Sequence, residues 1–153
     1  MAMERTCVII KPSGVQRGLV GQILSRFEAR GLKIVGLKMM QISEELAREH
    51  YREHEGKPFF NLLLERITKN HVVVIALEGV NAIQNVRKMI GSTDPSQAAP
   101  GTIRGDFASS TPLNLIHGSD SAESAARELS LFFAPHELHN YERSIDEWLM
   151  LEE

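Results

Sequence analysis

The residues best suited to chemistry stand close together late in the chain, in Asn114-Leu115-Ile116-His117-Gly118-Ser119-Asp120-Ser121. A histidine here follows an apolar run and precedes a glycine and three small polar residues, so backbone structure fixes it on both sides. An imidazole held this way serves as a nucleophile or a general base. The same residues also suit a plainer end, with His117 closing a strand and Asp120 capping a helix. Glu128 bears on the choice. It lies three residues after Ala125 and four before Phe132, at the edge of an apolar helical stripe where a carboxylate needs a donor. An N–H of His117 would satisfy it and fix the ring's tautomer; a surface pairing with Arg127 is the alternative.

Cations that suit phosphate are spread more widely. Lys11 follows an apolar strand directly and precedes Pro12, which pins a charge at a sheet edge. Arg87 borders the stripe Ile83, Val86 and Ile90, whereas Lys88 lies further round the helix. Thr93 and Arg104 stand at the two ends of a proline-rich loop, and arginine's planar fork binds paired phosphate oxygens. Phe59 and Phe60 follow Pro58; one enters the core and the other is free to stack on a base. His50 and His54 have i, i+4 spacing without third and fourth ligands, so the histidines show no zinc pattern. There is no P-loop, G-x-G-x-x-G or H-R-D motif, so any phosphate site is built another way.

The elements that must position these groups follow from periodicity. Thr6 to Ile10 is a buried strand stopped by Pro12. Val20, Ile23, Leu24 and Phe27 mark a helix ended by Gly31. Ile34 to Ile42 is a strand, Ser43-Glu44-Glu45 caps the next helix, and Leu62 to Ile67 is a short helix. Val72 to Leu77 is a strand, and Asn81 with Gln84 forms a capping box for a helix reaching Ile90. Residues 92–112 make a long, ordered binding loop. Leu113 to Ile116 is the last strand, and Asp120 with Glu123 starts a helix whose stripe is Ala122, Ala125, Ala126, Leu129, Phe132 and Phe133. The tail, with Tyr141, Trp148 and Leu149, packs onto the body. The core order β-α-β-β-α-β predicts an α+β, ferredoxin-like sandwich, an antiparallel four-stranded sheet covered by helices.

Composition narrows the setting. A chain of 153 residues is the size of one domain, expected here over 1–153. A net charge of −3 gives no electrostatic case for nucleic acid. The lone Cys7 forms no internal disulfide and suits a reducing compartment; set in an apolar run, it reads as a structural thiol. The apolar run after the N-terminus is too short for a signal peptide or a membrane span. The expectation is a cytoplasmic protein.

Glu4-Arg5-Thr6, Ile10-Lys11-Pro12, Arg26-Phe27-Glu28, Gly56-Lys57-Pro58-Phe59-Phe60, Pro100-Gly101-Thr102-Ile103-Arg104-Gly105-Asp106-Phe107 and Asn114–Ser121 together resemble the nucleoside diphosphate kinases along essentially the whole chain. The resemblance implies reversible transfer of the γ-phosphate of a nucleoside triphosphate to a nucleoside diphosphate. It implies a ping-pong mechanism through a phosphohistidine, with Mg²⁺ held mainly by the nucleotide phosphates and no protein metal ligand. His117 matches the phosphorylated residue, and Glu128 and Ser119 match the groups that orient it. Lys11, Arg87, Thr93 and Arg104 match phosphate binders; Lys11 and Asn114 match sugar contacts, Phe59 the base-stacking aromatic and Tyr51 a residue near the phosphates. Leu63 and Thr111 would lie around the base, and His54 near the phosphates.

The sequence departs from the family's pattern at Ser13, Asn70-His71, Asp94 and Thr111, none of them a matched catalytic group. The Asp94-Pro95 loop lies at oligomer interfaces in this family, and the tail to Glu153 resembles that of its hexamer-forming members, a hexamer built from dimers. The rival reading is a catalytically silent member acting as a nucleotide-binding or scaffolding subunit. The intact His117, Lys11, Asn114, Arg104 and Arg87 oppose it. Without the family, a ferredoxin-like ligand-binding module would rank above an enzyme.

Overall fold

A computed structural model describes residues 3–149. The N-terminal pair and residues 150–153, on which the tail-length argument for a hexamer draws, lie outside the described residues.

Strand β1 (Met3–Ile10) is buried without interruption from Thr6 to Ile10, because both of its faces carry helices. Pro12 then opens the short helix α1 (Pro12–Gln16), where its missing N–H costs nothing. Helix α2 (Val20–Ala29) buries Ile23 and Phe27, and the chain leaves it through Gly31 at φ +92°. Strand β2 (Lys33–Met40) follows. Ser43 caps α3 (Glu44–His50) as expected, its hydroxyl accepting the Leu46 N–H at 3.1 Å. A 3₁₀ turn (Arg52–His54) leads to α4 (Phe60–Thr68), then to β3 (Val72–Val80) and α5 (Ala82–Ile90). Helix α6 (Ile103–Phe107) precedes β4 (Ile116–Gly118) and α7 (Ala122–Phe132).

The four strands form one sheet in the order β2-β3-β1-β4, with every neighbouring pair antiparallel. Alternation of side chains divides the interior in two. Val8, Ile10, Val73, Ile75 and Leu77 pack against Ile23 and Phe27 of α2 and Val86 and Ile90 of α5. Cys7, Ile9, Val72, Val74 and Ala76 meet Phe60 and Leu64 of α4 and Leu129 and Phe132 of α7. This is the expected helix-covered antiparallel sheet. Among the described residues, no helix is long and apolar enough to cross a membrane.

The structure corrects several local expectations. The last strand begins at Ile116 rather than Leu113: Thr111–Leu113 is a 3₁₀ turn, and Leu115 takes φ +72°, so the chain turns sharply before it can pair with β1. Asn81 does not form a capping box. It sits at φ +50° with no capping hydrogen bond, and the Glu4 carboxylate on β1 accepts the Ile83 N–H at 3.2 Å instead, an anion at the positive end of α5. The cap of α7 is Ser121, whose hydroxyl accepts the Ser124 N–H at 3.1 Å; Asp120 stands one residue outside. Ala122 and Ala126 are exposed, so the buried stripe of α7 is Ala125, Glu128, Leu129 and Phe132. The 92–112 segment is ordered but not all loop, since Thr102 caps α6 by accepting the Gly105 N–H at 3.0 Å. Trp148 is 80% exposed and does not pack on the body.

Candidate active site

His117 is the middle residue of β4 and pairs with Ile9 of β1, which turns its ring toward α3 and α7. Its Nε2 stands 2.8 Å from Glu128 Oε1. A carboxylate only accepts, so a neutral ring that donates to it there carries its proton on Nε2 and its lone pair on Nδ1. The same Glu128 oxygen accepts the Ser119 hydroxyl at 2.7 Å. Ser119 Oγ in turn accepts the Cys7 N–H at 3.2 Å, so the orienting group is tied to the backbone of the central strand. Burial pushes the Cys7 thiol up, and the Glu128 charge adds to the effect; its side chain is an inert part of the core.

Just before β4 the backbone makes a three-residue turn. Ile116 N–H donates to Asn114 O at 2.9 Å across Leu115, which is fully buried at φ +72°. This hand of turn is rare for a bulky residue and is held in place by its surroundings. The surroundings are two cations. The backbone N–H of Lys11 donates to Leu115 O at 2.8 Å, and its ammonium donates to Asn114 Oδ1 at 2.9 Å. Arg104, 8% exposed, donates to Asn114 O at 3.2 Å, Ile116 O at 2.6 Å and Gly91 O at 3.0 Å. Two of its five N–H donors remain for a ligand. Burial, with Arg104 and then Arg66 nearby, lowers the Lys11 ammonium to about 8. Burial and the neighbouring Arg87 lower Arg104 to about 10.

His117 stands where two cavities meet. One, about 690 Å³, is lined by Arg87, Arg104, Asp120, Glu123, Arg127 and Glu128 among others, a mainly charged lining suited to phosphates. The other, about 810 Å³, is lined by Lys11, Phe59, Leu63, Thr93, Thr111 and Asn114 among others. Tyr51 and His54 line both. Arg87 reaches Gly118 O at 3.4 Å, and burial raises the Tyr51 hydroxyl to about 12. Phe60 is buried and Phe59 is 45% exposed, the division expected from the sequence. Lys11, Tyr51, His54, Phe59, Leu63, Arg87, Thr93, Arg104, Thr111, Asn114 and Glu128 all line one or both of these cavities, whereas Ser119 lines neither and reaches the site through Glu128.

Three neighbours went unrecognised. Arg66 lines the less polar cavity, one residue before buried Ile67 on α4, and the phase of that helix would have pointed to it. Asp120, read only as a cap, lines the charged cavity; its carboxyl is held low by Ser124 first, then by Ser121 and Arg87. His50 does not converge with His54 on a metal. It packs edge-on against His117, ring centres 4.8 Å apart, a contact across the fold that no local spacing announces. Burial, with His117 and Arg127 adding to it, pushes His50 down to about 2, so its ring is neutral.

A family model described as nucleoside diphosphate kinase matches residues 4–138. The chain belongs to the nucleoside diphosphate kinase family. The nucleoside diphosphate kinase of Pyrococcus horikoshii is 61% identical over 146 residues, 94% of this chain and 93% of that one. That of Carboxydothermus hydrogenoformans is 58% identical over 147 residues, 96% and 99% of the two chains. Among solved structures, the halophilic nucleoside diphosphate kinase of Halobacterium salinarum in complex with CDP superposes with a TM-score of 0.95 at 49% identity. The match covers 98% of this chain and all of that one. The chain is accordingly an enzyme, a phosphotransferase with nucleoside diphosphate kinase function.

Proposed function

We propose that the reaction runs in two half-reactions with His117 Nδ1 as the phosphate carrier. The observation that carries this is the 2.8 Å contact of Nε2 with Glu128, which leaves Nδ1 as the lone-pair nitrogen. In the first half-reaction the Nδ1 lone pair attacks the γ-phosphorus of a nucleoside triphosphate. The bond to the bridging oxygen breaks, and the nucleoside diphosphate leaves with those electrons. In the second, a terminal oxygen of another nucleoside diphosphate attacks the same phosphorus and Nδ1 recovers its pair. Phosphoryl transfer asks mainly for alignment and charge neutralisation. Arg87, Arg104 and Thr93 neutralise and align the phosphates, with Tyr51 close by. Lys11 and Asn114 contact the sugar, and Phe59 stacks on the base. Stacking on any π-face, with few base-edge bonds, accepts every nucleobase.

The donor set also fits Mg²⁺. Asp120 and Glu123 bring hard oxygens to the phosphate-side cavity, and Mg²⁺ commonly keeps its waters while using one or two carboxylates and substrate phosphates. Bound there with the nucleotide, it would withdraw charge from the phosphates. The resemblance further implies assembly of dimers into a hexamer. Supporting self-association, β2 is an edge strand with Leu37 and Met39 half-exposed or more, an edge that invites pairing. A single-domain, cytoplasmic enzyme fits the one buried, unpaired cysteine.

Incubation with γ-labelled ATP alone tests the carrier. The wild-type chain should take up an acid-labile, base-stable label, and His117→Ala should take up none and lose turnover. An acid-stable label, pointing to Ser119 or Ser121, or more than a few per cent of residual activity in His117→Ala, would overturn the assignment.

A further inference from the structure

His50 ends α3 at 5% exposure, and neither ring nitrogen has a hydrogen-bond partner. A buried imidazole with both nitrogens unpartnered is unusual. One side of it faces Phe132 at 5.3 Å between ring centres; another meets His117 at 4.8 Å, nearly perpendicular at 86°. Donor atoms of His50, His117 and Glu128 all lie within 4.8 Å of one another. Two imidazole nitrogens and a carboxylate oxygen, with a fourth side open to a cavity, make a donor set suited to Zn²⁺. Ligands about 2.0–2.2 Å from a tetrahedral metal stand roughly 3.3 Å apart. Reaching that spacing means opening the 2.8 Å contact between His117 and Glu128 slightly and drawing the His50 ring toward them. Mg²⁺, which prefers octahedral oxygen, is a poor match.

We propose that His50, His117 and Glu128 form a binding site for Zn²⁺ or a like transition-metal cation, which silences the histidine when filled. Binding replaces the hydrogen bond between His117 and Glu128. The Nε2 proton leaves as the metal–Nε2 bond forms. A neutral imidazole keeps one proton, so a proton returns from solvent to Nδ1, and His117 suffers no net change of protonation. The lone pair that would attack phosphorus is then occupied. A chelator reverses every step. The effect on phosphorylation rests on the carrier role proposed for His117, whereas the binding itself does not.

The nucleotide-free protein is titrated with Co²⁺, whose visible absorption reports tetrahedral coordination, and Zn²⁺ is then added to displace it. One Co²⁺ per chain, displaced by Zn²⁺, is expected in the wild type. His50→Phe keeps a ring but no donor and should lose the band; should that variant fail to fold, His50→Leu gives the same reading. In parallel, Zn²⁺ should slow labelling by γ-labelled ATP at least tenfold in the wild type, with recovery on adding EDTA, and should leave His50→Phe labelling at its own zinc-free rate. Absence of a stoichiometric band, its persistence in the His50 variants, or equal inhibition of wild type and His50→Phe would each overturn the proposal. A wild type that binds Co²⁺ but takes no label even without zinc would instead defeat the carrier role and leave the metal site standing.

Discussion

Glu128 reaches from α7 to His117 on β4, and the 2.8 Å contact at Nε2 is made by a carboxylate that is itself 6% exposed. Burial strengthens the contact, and the ring has little freedom to leave it. Replacing Glu128 with Ala should lower kcat about 10- to 100-fold, the usual loss for a group that orients a reactive imidazole, with KM nearly constant. Steady-state kinetics decide the point. A raised KM with unchanged kcat would make Glu128 a binding residue.

Lys11 yields a prediction in pH. Its ammonium is lowered from 10.5 to about 8, chiefly by burial. If its charge helps to hold the nucleotide, kcat/KM should fall as pH rises through about 8, since that ratio reports the free enzyme. Lys11→Gln should show a lower, flatter limb. Stability moves the other way. Between about 8 and 10.5 the unfolded chain binds the proton that the folded Lys11 has lost, so this residue's contribution to stability rises with pH across that window. Urea midpoints of wild type and Lys11→Gln between pH 7 and 10 would show a difference that narrows with pH.

Arg104 should behave as a structural and a binding residue at once. Each of its three bonds to backbone carbonyls is charge-assisted, a class that contributes about 1.5–3 kcal/mol apiece. Arg104→Ala should therefore cost about 3 kcal/mol or more of unfolding free energy, measured by urea denaturation, and should weaken nucleotide binding in the folded fraction. Arg104→Lys should not restore it, because one ammonium cannot reproduce the fork that spans Asn114, Ile116 and Gly91.

Phe59 should show the opposite separation. It is 45% exposed, so Phe59→Ala should change stability by no more than about 0.5 kcal/mol. Loss of a stacking partner is worth about 1–3 kcal/mol, a rise in KM of roughly 5- to 150-fold. The rise should be similar for adenine, guanine and cytosine nucleotides. A change confined to one base would show that edge contacts dominate.

What the sequence made legible was whatever short-range rules control. Pro12 marks the end of β1, Ser43 caps α3, and the Phe59-Phe60 pair divides between surface and core because only one of two neighbours can face inward there. What it hid depends on distant partners. The three residues of β4 are a strand only because they pair with Val8 to Ile10, and their start is set by the left-handed Leu115. The N-terminus of α5 is satisfied by Glu4, more than seventy residues away in sequence. Asp120 and Ser121 both suit a cap, and the extended backbone of Ser121 at φ −156° decides for the latter. His50 reaches His117 only because α3 and β4 are brought together on one face of the sheet.

Ser119 is gripped by the amide of Cys7, not by its thiol. The grip belongs to the strand, so it does not depend on the side chain at position 7. Cys7→Ala would leave that bond intact at a cost of about 1 kcal/mol from the core. It would also remove the chain's one cysteine. The product is a thiol-free background into which a single reporter cysteine could be placed at will, beside the cavity or on the β2 edge, for labelling with a dye or spin probe.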